Sequence, residues 1–431
     1  MKKRVLFVAH PYLDANMGGV RLRRIARLLP RCGWEVVVLT HSQDGTTVPV
    51  REEPGVRVVE VAAMDLTRLY QRMRGAKHSG PQQPETVKRQ PTAKKIGLTS
   101  EINRWLMIPD KQMPWRRPAI RKGAELLRSE KFDAVFASLD PRTSLLVATH
   151  LAEEFQVPCV LEYRDLWIGN PYYHITQPTP VHRWLHQRLE RRVLSRASRV
   201  SAVCQGIARY LSEAYGSVLK APVELNYNFF DPAEYPPSPP AGAAPRPFTV
   251  SYTGAMYASR TPHQFFEGMR RFIDSRKLTP EQFRFRWAGG ASGINDLSAV
   301  IDRTGVRPYL DFLGMVPHRE ALRLLMDSDA ALLLQAADDQ IHIPGKLFEA
   351  MGARVPLLAL ANPCEVTEIM ERCRAGLVSA HTAESVAESL GQFELAARER
   401  RRWDFNEAAV QTFSAEAAVA RLAALLESAG T

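Results

Sequence analysis

Residues 343–360, IPGKLFEAMGARVPLLAL, place one lysine and one glutamate among apolar neighbours. Pro344 suits a helix start, because its missing N–H would have no partner there anyway. The free N–H groups of such a start attract a pyrophosphate, and Lys346 would add a full positive charge. Glu349, one turn later, could accept hydrogen bonds from the hydroxyls of a ribose. The alternative is an internal Lys346–Glu349 pair, which contributes only about a few tenths of a kcal/mol.

Other charged residues follow apolar runs that read as strands. Arg164 and Asp165 stand in LEYRDLW, residues 161–167, and Arg260 stands in YTGAMYASRT, residues 252–261. Ligands of parallel sheets bind at the carboxyl ends of the strands, and a guanidinium can hold two phosphate oxygens at once. The alternatives are a structural ion pair for Arg164 and Asp165, and an ordinary surface position for Arg260.

Glycines occupy equivalent places in the two halves of the chain. Gly18 and Gly19 follow the first apolar run, and Gly254 follows the first apolar run of the second half. The absence of a side chain lets backbone N–H groups approach a phosphate or a sugar. A plain tight turn is the alternative, because no G-x-G-x-x-G pattern is present. Arg21 and Arg24 lie just beyond, and we expect at least one of them to be solvated.

Two more strand ends carry candidate residues. Glu365, in NPCEVTEIM at residues 362–370, would lie near the same ligand as Lys346. In SLDPRTS, residues 138–144, we expect Ser138 or Asp140 to cap the helix that follows, and this is the favoured interpretation of Asp140.

The elements that must position these residues alternate between apolar strand and helix. The first half contains RVLFVAH, WEVVVLT, FDAVFAS, PCVLEY and RVSAVC, and the second half restarts with FTVSYTGA. Continuous apolar strands separated by helices indicate parallel sheets that are covered on both faces. The sequence therefore predicts an α/β fold of two tandem doubly wound, Rossmann-like domains that face each other across a cleft.

The proline-rich residues 236–247, PPSPPAGAAPRP, predict a linker between these domains. The expected domains are 1–235 and 248–400, the second of which would bind the ligand just described. Residues 401–431 read as a helical segment that can pack back on the first domain, with a last helix from about Ala408 to Ser428. The basic, proline-punctuated residues 75–98 predict a surface excursion.

Composition narrows the class of protein. The 431 residues carry a net charge of +11 and five scattered cysteines with no C-x-x-C pair. This argues against a disulfide framework and a structural zinc site, and favours the cytoplasm. No apolar run approaches the length that spans a membrane. The positive charge favours anionic ligands or an anionic membrane, and no motif predicts a nucleic-acid partner.

Taken in order along the chain, several motifs resemble those of the family 4 glycosyltransferases, which have the GT-B fold. The resemblance covers nearly the whole sequence. The segments that carry it are IPDKQMPW (108–115), LEYRDLW (161–167), NYNFFD (226–231), SYTGAMY (251–257), FLGMVPHREALRLL (312–325) and KLFEAMGARVP (346–356).

The resemblance implies roles for residues of the second half. Glu349 matches the second glutamate of the family's E-x7-E motif, which implies that it holds the nucleotide ribose. Lys346 and Arg260 are implied to face the diphosphate as catalytic residues, with Gly254 and Glu365 on the donor side. The position of the first glutamate holds Ile341, so this chain departs from the motif there.

In the first half, Gly18 and Gly19 match the loop near the donor phosphate and the acceptor. Asp165 lies near the family's catalytic region of the first domain. Arg24 and Arg164 are then expected on the acceptor side.

The implied activity is transfer of a hexose or related sugar from a nucleotide-sugar donor to a glycan or lipid-linked acceptor. The resemblance implies retention of anomeric configuration, no metal and no cofactor, and a place in polysaccharide or glycolipid assembly at the cell surface. A nucleotide-sugar epimerase of the same fold is one alternative. A non-catalytic scaffold subunit is the other, and the departure at Ile341 keeps it open.

The segment 181–199, VHRWLHQRLERRVLSRASR, combines Trp184, Leu185, Leu189, Val193 and Leu194 with many basic residues. This composition is typical of an interfacial helix on an anionic membrane, and a solvated basic face is the alternative. A lipid-linked acceptor at the inner leaflet would suit a peripheral membrane location.

Overall fold

The computed structural model describes residues 2–14, 17–42, 51–53, 55–63, 105, 108–169, 179–237, 246–257, 260–294, 296–337, 339 and 341–430. The chain divides into two units. Unit 1 consists of Met1–Asn226 and Val419–Thr431, and unit 2 consists of Tyr227–Ala418. Most of the predicted linker and the basic stretch 75–98 lie outside the described residues, so both stay predictions.

Unit 1 is built on an eight-stranded sheet in the order β3-β4-β2-β1-β5-β6-β7-β8. Its neighbours run parallel except for the β3–β4 pair. Its elements are β1 (Lys3–Val8), α1 (Met17–Leu28), β2 (Trp34–His41), β3 (Arg51–Glu53), β4 (Val56–Val61), α2 (Met113–Ser129), β5 (Ala134–Leu139), α3 (Arg142–Phe155), β6 (Cys159–Tyr163), α4 (Pro180–Arg196), β7 (Arg199–Ala202), α5 (Gln205–Tyr215) and β8 (Glu224–Leu225).

Unit 2 is built on a six-stranded parallel sheet in the order β13-β11-β9-β14-β15-β16, with a separate pair of β10 and β12. Its elements are β9 (Phe248–Thr253), β10 (Met256–Tyr257), α6 (His263–Arg276), β11 (Phe283–Ala288), β12 (Ala291–Ser292), α7 (Leu297–Thr304), β13 (Leu310–Gly314), α8 (His318–Met326), β14 (Ala330–Leu334), α9 (Gly345–Ala353), β15 (Leu357–Leu360), α10 (Glu365–Cys373), β16 (Gly376–Ser379), α11 (Ala383–Arg398) and α12 (Glu407–Gln411), and the last helix is α13 (Ala415–Ser428).

The central strands β9, β14 and β15 of unit 2 are buried on both faces, which explains their continuous apolar sequence. In β14, Ala330 and Leu332 pack in one apolar cluster, whereas Ala331 and Leu333 pack in a second one. Because successive side chains of a strand point to opposite faces, these two clusters lie on opposite sides of the sheet. The predicted pair of doubly wound α/β sheets is confirmed.

Each sheet has a point at which the strand order reverses. In unit 1 the chain builds outward from β1 on one side and then continues with β5 on the other. In unit 2 it builds outward from β9 through β11 and β13, and then continues with β14 on the other side of β9. Ligands of doubly wound sheets bind at the carboxyl ends of the strands beside such a switch point.

The predicted continuous last helix is wrong. The chain forms α12 and α13 with a break between them. At the break, Phe230 N–H donates to the Phe413 carbonyl at 3.1 Å, and Ala415 N–H donates to the Phe230 carbonyl at 2.8 Å. Backbone groups that pair with another segment cannot also continue a helical ladder. The final residues of α13 do belong to unit 1, where Arg421 donates to Asn226 Oδ1 at 3.3 Å.

Part of the apolar face that the sequence predicts to contact a membrane is buried inside unit 1. Val193 and Leu194 of α4 are fully buried, together with His182, His186 and Glu190 of the same helix. This face packs in the interior of unit 1. Only the first turn of α4 exposes large apolar side chains, with Val181 53% and Trp184 55% exposed.

Candidate functional site

The switch point of unit 2 is formed by glycines that let two strand ends approach closely. Gly254, after β9, has φ +140° and donates its N–H to the Ala288 carbonyl at 2.6 Å. A Cβ at Gly289, after β11, would lie 1.9 Å from the Gly254 carbonyl oxygen. No other residue type fits either backbone position without displacement. The sequence analysis identified Gly254 and missed Gly289.

Lys346 extends from the first turn of α9 to this glycine loop. Its Nζ lies 5.0 Å from the centre of the Tyr252 ring, and a Cβ at Gly254 would come within 2.5 Å of it. Among the described residues, no carboxylate lies within 4.0 Å of this ammonium group. Loss of solvent lowers the pKa of Lys346, Glu349 opposes the shift and Arg260 adds to it. The structure thus places Lys346 against Gly254, with Glu349 and Arg260 close enough to influence its pKa.

Arg260 is paired with a carboxylate of the same unit. Its Nη2 donates to Asp339 Oδ2 at 2.9 Å. Asp339 Oδ1 also accepts from the backbone N–H groups of Ile341 and His342, at 3.2 and 2.9 Å. Burial raises the pKa of Asp339, but hydrogen bonds from His342 and Arg260 outweigh it and hold the pKa well below its usual range. Asp339 therefore fixes both the arginine and the loop that leads into α9.

The two predicted donor-side glutamates have different surroundings. Glu349 Oε1 lies 3.9 Å from His318 Nδ1, and the Glu349 carbonyl accepts a hydrogen bond from the Tyr235 hydroxyl at 2.8 Å. Glu365, in the first turn of α10, accepts from the Tyr227 hydroxyl at 2.7 Å and is only 9% exposed. Of the two glutamates, Glu349 is the one whose negative charge raises the pKa of Lys346.

The corresponding place in unit 1 is filled by Arg164, which follows β6. Its Nε donates to Ser138 Oγ at 2.8 Å and its Nη2 donates to the Asp140 carbonyl at 3.0 Å. A Cβ at Gly18 would lie 2.6 Å from Arg164 Nη1, so this glycine makes room for the guanidinium. Burial lowers the pKa of Arg164, and the negative charge of Glu162 opposes this shift. Asp165, next to it, is partly exposed.

A buried ion pair lies directly behind Arg164. Arg21 of α1 donates to Glu162 of β6 through Nη2 at 2.7 Å and Nε at 3.1 Å. Ser138 Oγ donates to the same carboxylate at 2.9 Å. The pKa of Glu162 is lowered, because the arginines outweigh the cost of burial. Arg21 and Arg24 are 5% and 7% exposed, so the expected solvated arginine is wrong for both.

The helix cap predicted at residues 138–140 comes from another segment. Asp110, in the motif at residues 108–115, accepts from the backbone N–H of Thr143 at 2.9 Å and from its hydroxyl at 2.5 Å. Its carboxylate therefore caps the first turn of α3 from a distant part of the chain. Burial raises the pKa of Asp110, and the two hydrogen bonds from Thr143 oppose this shift.

A pair of histidines that sequence reasoning missed lies after β1 and at the end of β2. His10 stacks on His41 with ring centres 4.8 Å apart, and its other contact is the edge of Trp115 at 5.1 Å. Burial and the proximity of His41 lower the pKa of His10 to about 3. Burial also lowers the pKa of His41, so the neutral form is favoured for both imidazoles.

Metal-binding clusters and membrane-spanning helices are both absent from the described residues. These residues contain no cluster of three or more His, Cys, Asp or Glu side chains that could hold a metal ion. They also contain no helix with the length and apolarity needed to cross a bilayer.

Comparisons with known proteins agree with this architecture. The family model described as glycosyl transferase 4-like domain matches residues 18–228. Sucrose-phosphate synthase from Thermosynechococcus elongatus has a similar structure, with a TM-score of 0.64 and 15% identity over 99% of this chain and 98% of that one. HepE from Anabaena, solved in complex with UDP, gives a TM-score of 0.60 and 16% identity over 99% and 100% of the two chains. None of the curated proteins compared matches the sequence.

A third similar structure is that of α,α-trehalose 6-phosphate synthase from Burkholderia multivorans, with a TM-score of 0.61 and 11% identity over 99% of both chains. The two doubly wound sheets give this chain the GT-B fold of these structures. The match to the glycosyl transferase 4-like model is confined to residues 18–228, just under half of the chain.

Proposed function

We propose that the protein transfers a hexose or related sugar from a nucleotide-sugar donor to a glycan or lipid-linked acceptor, with retention of configuration. The observation that carries this proposal is the ammonium group of Lys346, which is largely desolvated at the switch point of unit 2 and has no carboxylate partner among the described residues. An isolated charge is costly to bury, so such a site favours an anionic ligand. The diphosphate of a nucleotide sugar satisfies this requirement.

The site residues supply fixed positive charge to the departing group. The acceptor hydroxyl oxygen forms a bond with the anomeric carbon while the bond from that carbon to the diphosphate oxygen breaks, and the hydroxyl proton passes to the diphosphate. Lys346, the N–H groups of the first turn of α9, and Arg260 would stabilise the charge that develops on the diphosphate. This arrangement needs neither a metal ion nor a cofactor. The catalytic role of Asp165 and the acceptor-side roles of Arg24 and Arg164 stay predictions.

The position of the nucleoside follows from Glu349, which lies one turn along α9 from Lys346. We assign its carboxylate to the ribose hydroxyls, with Gly254 and Glu365 nearby on the donor side. The HepE structures hold UDP and, in another crystal, UDP-glucose. A uracil nucleotide is therefore the first donor class to test.

The test is a thermal unfolding screen of the full chain with nucleoside diphosphates and nucleotide sugars. A donor should raise the melting temperature, and Glu349→Ala should abolish this rise while the ligand-free melting temperature stays within a few degrees. Glu320→Ala, which removes an exposed carboxylate from α8, is the matched control and should leave the rise intact. An unchanged rise in Glu349→Ala would contradict the role of this residue.

Activity assays with the nucleotide sugar that stabilises the protein separate the competing functions. Incubation of the stabilising nucleotide sugar without acceptor should leave its configuration unchanged, whereas an epimerase would convert it. A scaffold subunit would show neither stabilisation by nucleotides nor turnover with an acceptor.

We also propose that the protein works at the inner face of a membrane, in the assembly of a cell-surface polysaccharide or glycolipid. Support comes from the exposed Val181 and Trp184 on the first turn of α4, and from Arg188, whose guanidinium lies 5.7 Å from the centre of the Trp184 ring. Exposed tryptophan beside arginine is typical of a lipid interface.

Cosedimentation with lipid vesicles tests this location. The protein should bind vesicles that contain phosphatidylglycerol and not vesicles of phosphatidylcholine alone. Trp184→Ala should reduce the bound fraction, and Phe312→Ala, which removes an aromatic ring that is 63% exposed in unit 2, is the control. Equal binding of the two variants would argue against a contact through α4.

A further inference from the structure

Unit 2 contains a cavity of about 400 Å³ at the amino ends of its strands, away from the proposed donor site. Asp329, which directly precedes β14, and Pro356, which directly precedes β15, are part of its wall. Lys346 and Gly254 lie instead at the carboxyl ends of the strands. The five residues of β14 separate the two places by roughly 16 Å, at about 3.3 Å per residue.

The floor of this cavity is aromatic. Phe393 and Phe405 are buried, and the Trp403 ring lies 5.0 Å from the Phe393 ring. The indole N–H of Trp403 donates to the Arg374 carbonyl at 2.8 Å. The polar atom of the indole is therefore satisfied within the protein, and Trp403, which is partly exposed, is the ring that offers an apolar surface to an occupant.

The two acidic residues of the wall already have cationic partners. Glu407 accepts from Arg354 Nε and Nη2 at 2.9 and 2.6 Å. Asp329 accepts from Arg246 Nη2 at 2.6 Å and from the Thr249 N–H at 2.8 Å. Each carboxylate is thus neutralised, and neither repels an anion strongly.

Among the described residues, two arginines of the wall, Arg401 and Arg402, have no close carboxylate partner of the kind that Arg354 and Arg246 have. Arg401 Nε is 4.0 Å from Glu399 Oε2, at the limit of an ion pair, and both side chains are more than half exposed. Arg402 has no carboxylate within ion-pair distance in the part of the chain that the structure describes. Both arginines border the cavity beside the aromatic floor.

We propose that this cavity is a binding site for a small organic anion with a flat apolar body, separate from the donor site. The apolar body would lie on the partly exposed ring of Trp403, which removes its surface from water. The anionic group, a carboxylate, sulfonate or phosphate, would take charge-assisted hydrogen bonds from Arg401 and Arg402. Arg354 at the end of α9 also borders the cavity, so the occupant would contact the helix whose first turn holds Lys346.

The test uses anilinonaphthalene sulfonate, a flat aromatic anion whose fluorescence rises on binding. The full-length protein is titrated with this dye while a saturating nucleoside diphosphate occupies the donor site. We expect saturable binding at one site. The Arg401→Gln/Arg402→Gln double variant should weaken it by roughly tenfold or more, because two charge-assisted contacts are lost. Arg398→Gln, which removes an exposed arginine of α11 outside the cavity, should bind like the unaltered protein.

Three results would overturn the proposal. One is unchanged affinity in the double variant, and another is an equal loss in Arg398→Gln, which would reveal general charge attraction. The third is complete displacement of the dye by the nucleoside diphosphate, which would place it in the donor site. Ala397→Leu fills the cavity without changing charge and should also block the dye, provided that its melting temperature shows a folded protein. Retained binding in a folded Ala397→Leu variant would count against the cavity as well.

Discussion

The two switch points hold buried positive charge in different ways. In unit 1, Arg21 has its own carboxylate in Glu162, and Arg164 donates to a hydroxyl and a carbonyl. In unit 2, Lys346 lies against a glycine and an aromatic ring without a carboxylate within ion-pair distance among the described residues. The first arrangement is complete without a ligand and therefore belongs to the stability of the fold. In the second, the described residues supply no carboxylate within ion-pair distance of the ammonium group, and we propose that the diphosphate of the donor supplies this counter-charge.

Removal of Glu162 should produce the largest loss of stability. Glu162→Gln leaves Arg21 buried without its counter-charge, which we expect to cost about 3–5 kcal/mol in the free energy of unfolding. Urea denaturation measures this value. The matched control is Glu125→Gln, which breaks an exposed pair with Lys122 at 2.9 Å and should cost less than about 1 kcal/mol. Equal losses in the two variants would remove the distinction between the two switch points.

Lys346 should behave in the opposite way. Lys346→Met keeps the length of the side chain on Tyr252 and removes a desolvated charge, so the free energy of unfolding should stay constant or rise. Turnover should fall by about 10²–10³, as for the loss of one transition-state donor. Steady-state kinetics measure the expected loss of turnover, and urea denaturation of the same preparation measures the free energy of unfolding. A variant that loses stability and activity in parallel would place Lys346 in the packing of unit 2 and not in the donor site.

Glu190 sharpens the comparison within unit 1, because this carboxyl has a phenol and not an arginine as its partner. Its Oε2 accepts from the Tyr215 hydroxyl at 2.8 Å, and burial raises its pKa to about 8. Between its unfolded pKa of about 4.5 and its folded pKa, the native state binds more protons than the unfolded state. Stability should therefore fall as pH rises through this window, by up to about 1.4 kcal/mol per pH unit.

Urea denaturation at several pH values should show this slope reduced in Glu190→Gln. Tyr215→Phe is the control. It retains the carboxyl and removes a hydrogen bond that lowers the pKa of Glu190, so the upper end of the window should move to higher pH. A slope that is the same in Glu190→Gln and in the unaltered protein would show that other groups titrate in this range.

The sequence predicted the two sheets and the grouping of Gly254, Lys346 and Glu349. Both depend on local information: apolar runs define buried strands, and topology brings the carboxyl ends of neighbouring parallel strands together. The partners of the buried charges were not predictable in this way. Glu162 lies in an apolar strand, and Arg21, 141 residues away in the sequence, is placed beside it only by the tertiary fold.

Two other residues show the same limit. Asp110 caps α3 from 33 residues upstream, where local capping rules predicted a residue directly before the helix. Asp339 looks like part of an acidic turn in the sequence, and its pairing with Arg260 depends on two segments 79 residues apart. Periodicity identifies which residues are buried, but it gives no information about a hydrogen-bond or ion-pair partner in a distant segment of the chain.

The close approach of Gly254 and Gly289 limits how this protein can change. A methyl group at position 289 would meet a main-chain oxygen at 1.9 Å, and no rearrangement of a neighbouring side chain can relieve that clash. In a library of random variants, position 289 should therefore reject every replacement, whichever sugar the selection demands. Engineers who wish to alter donor preference would gain more by diversifying the surrounding side chains than by altering the two glycines themselves.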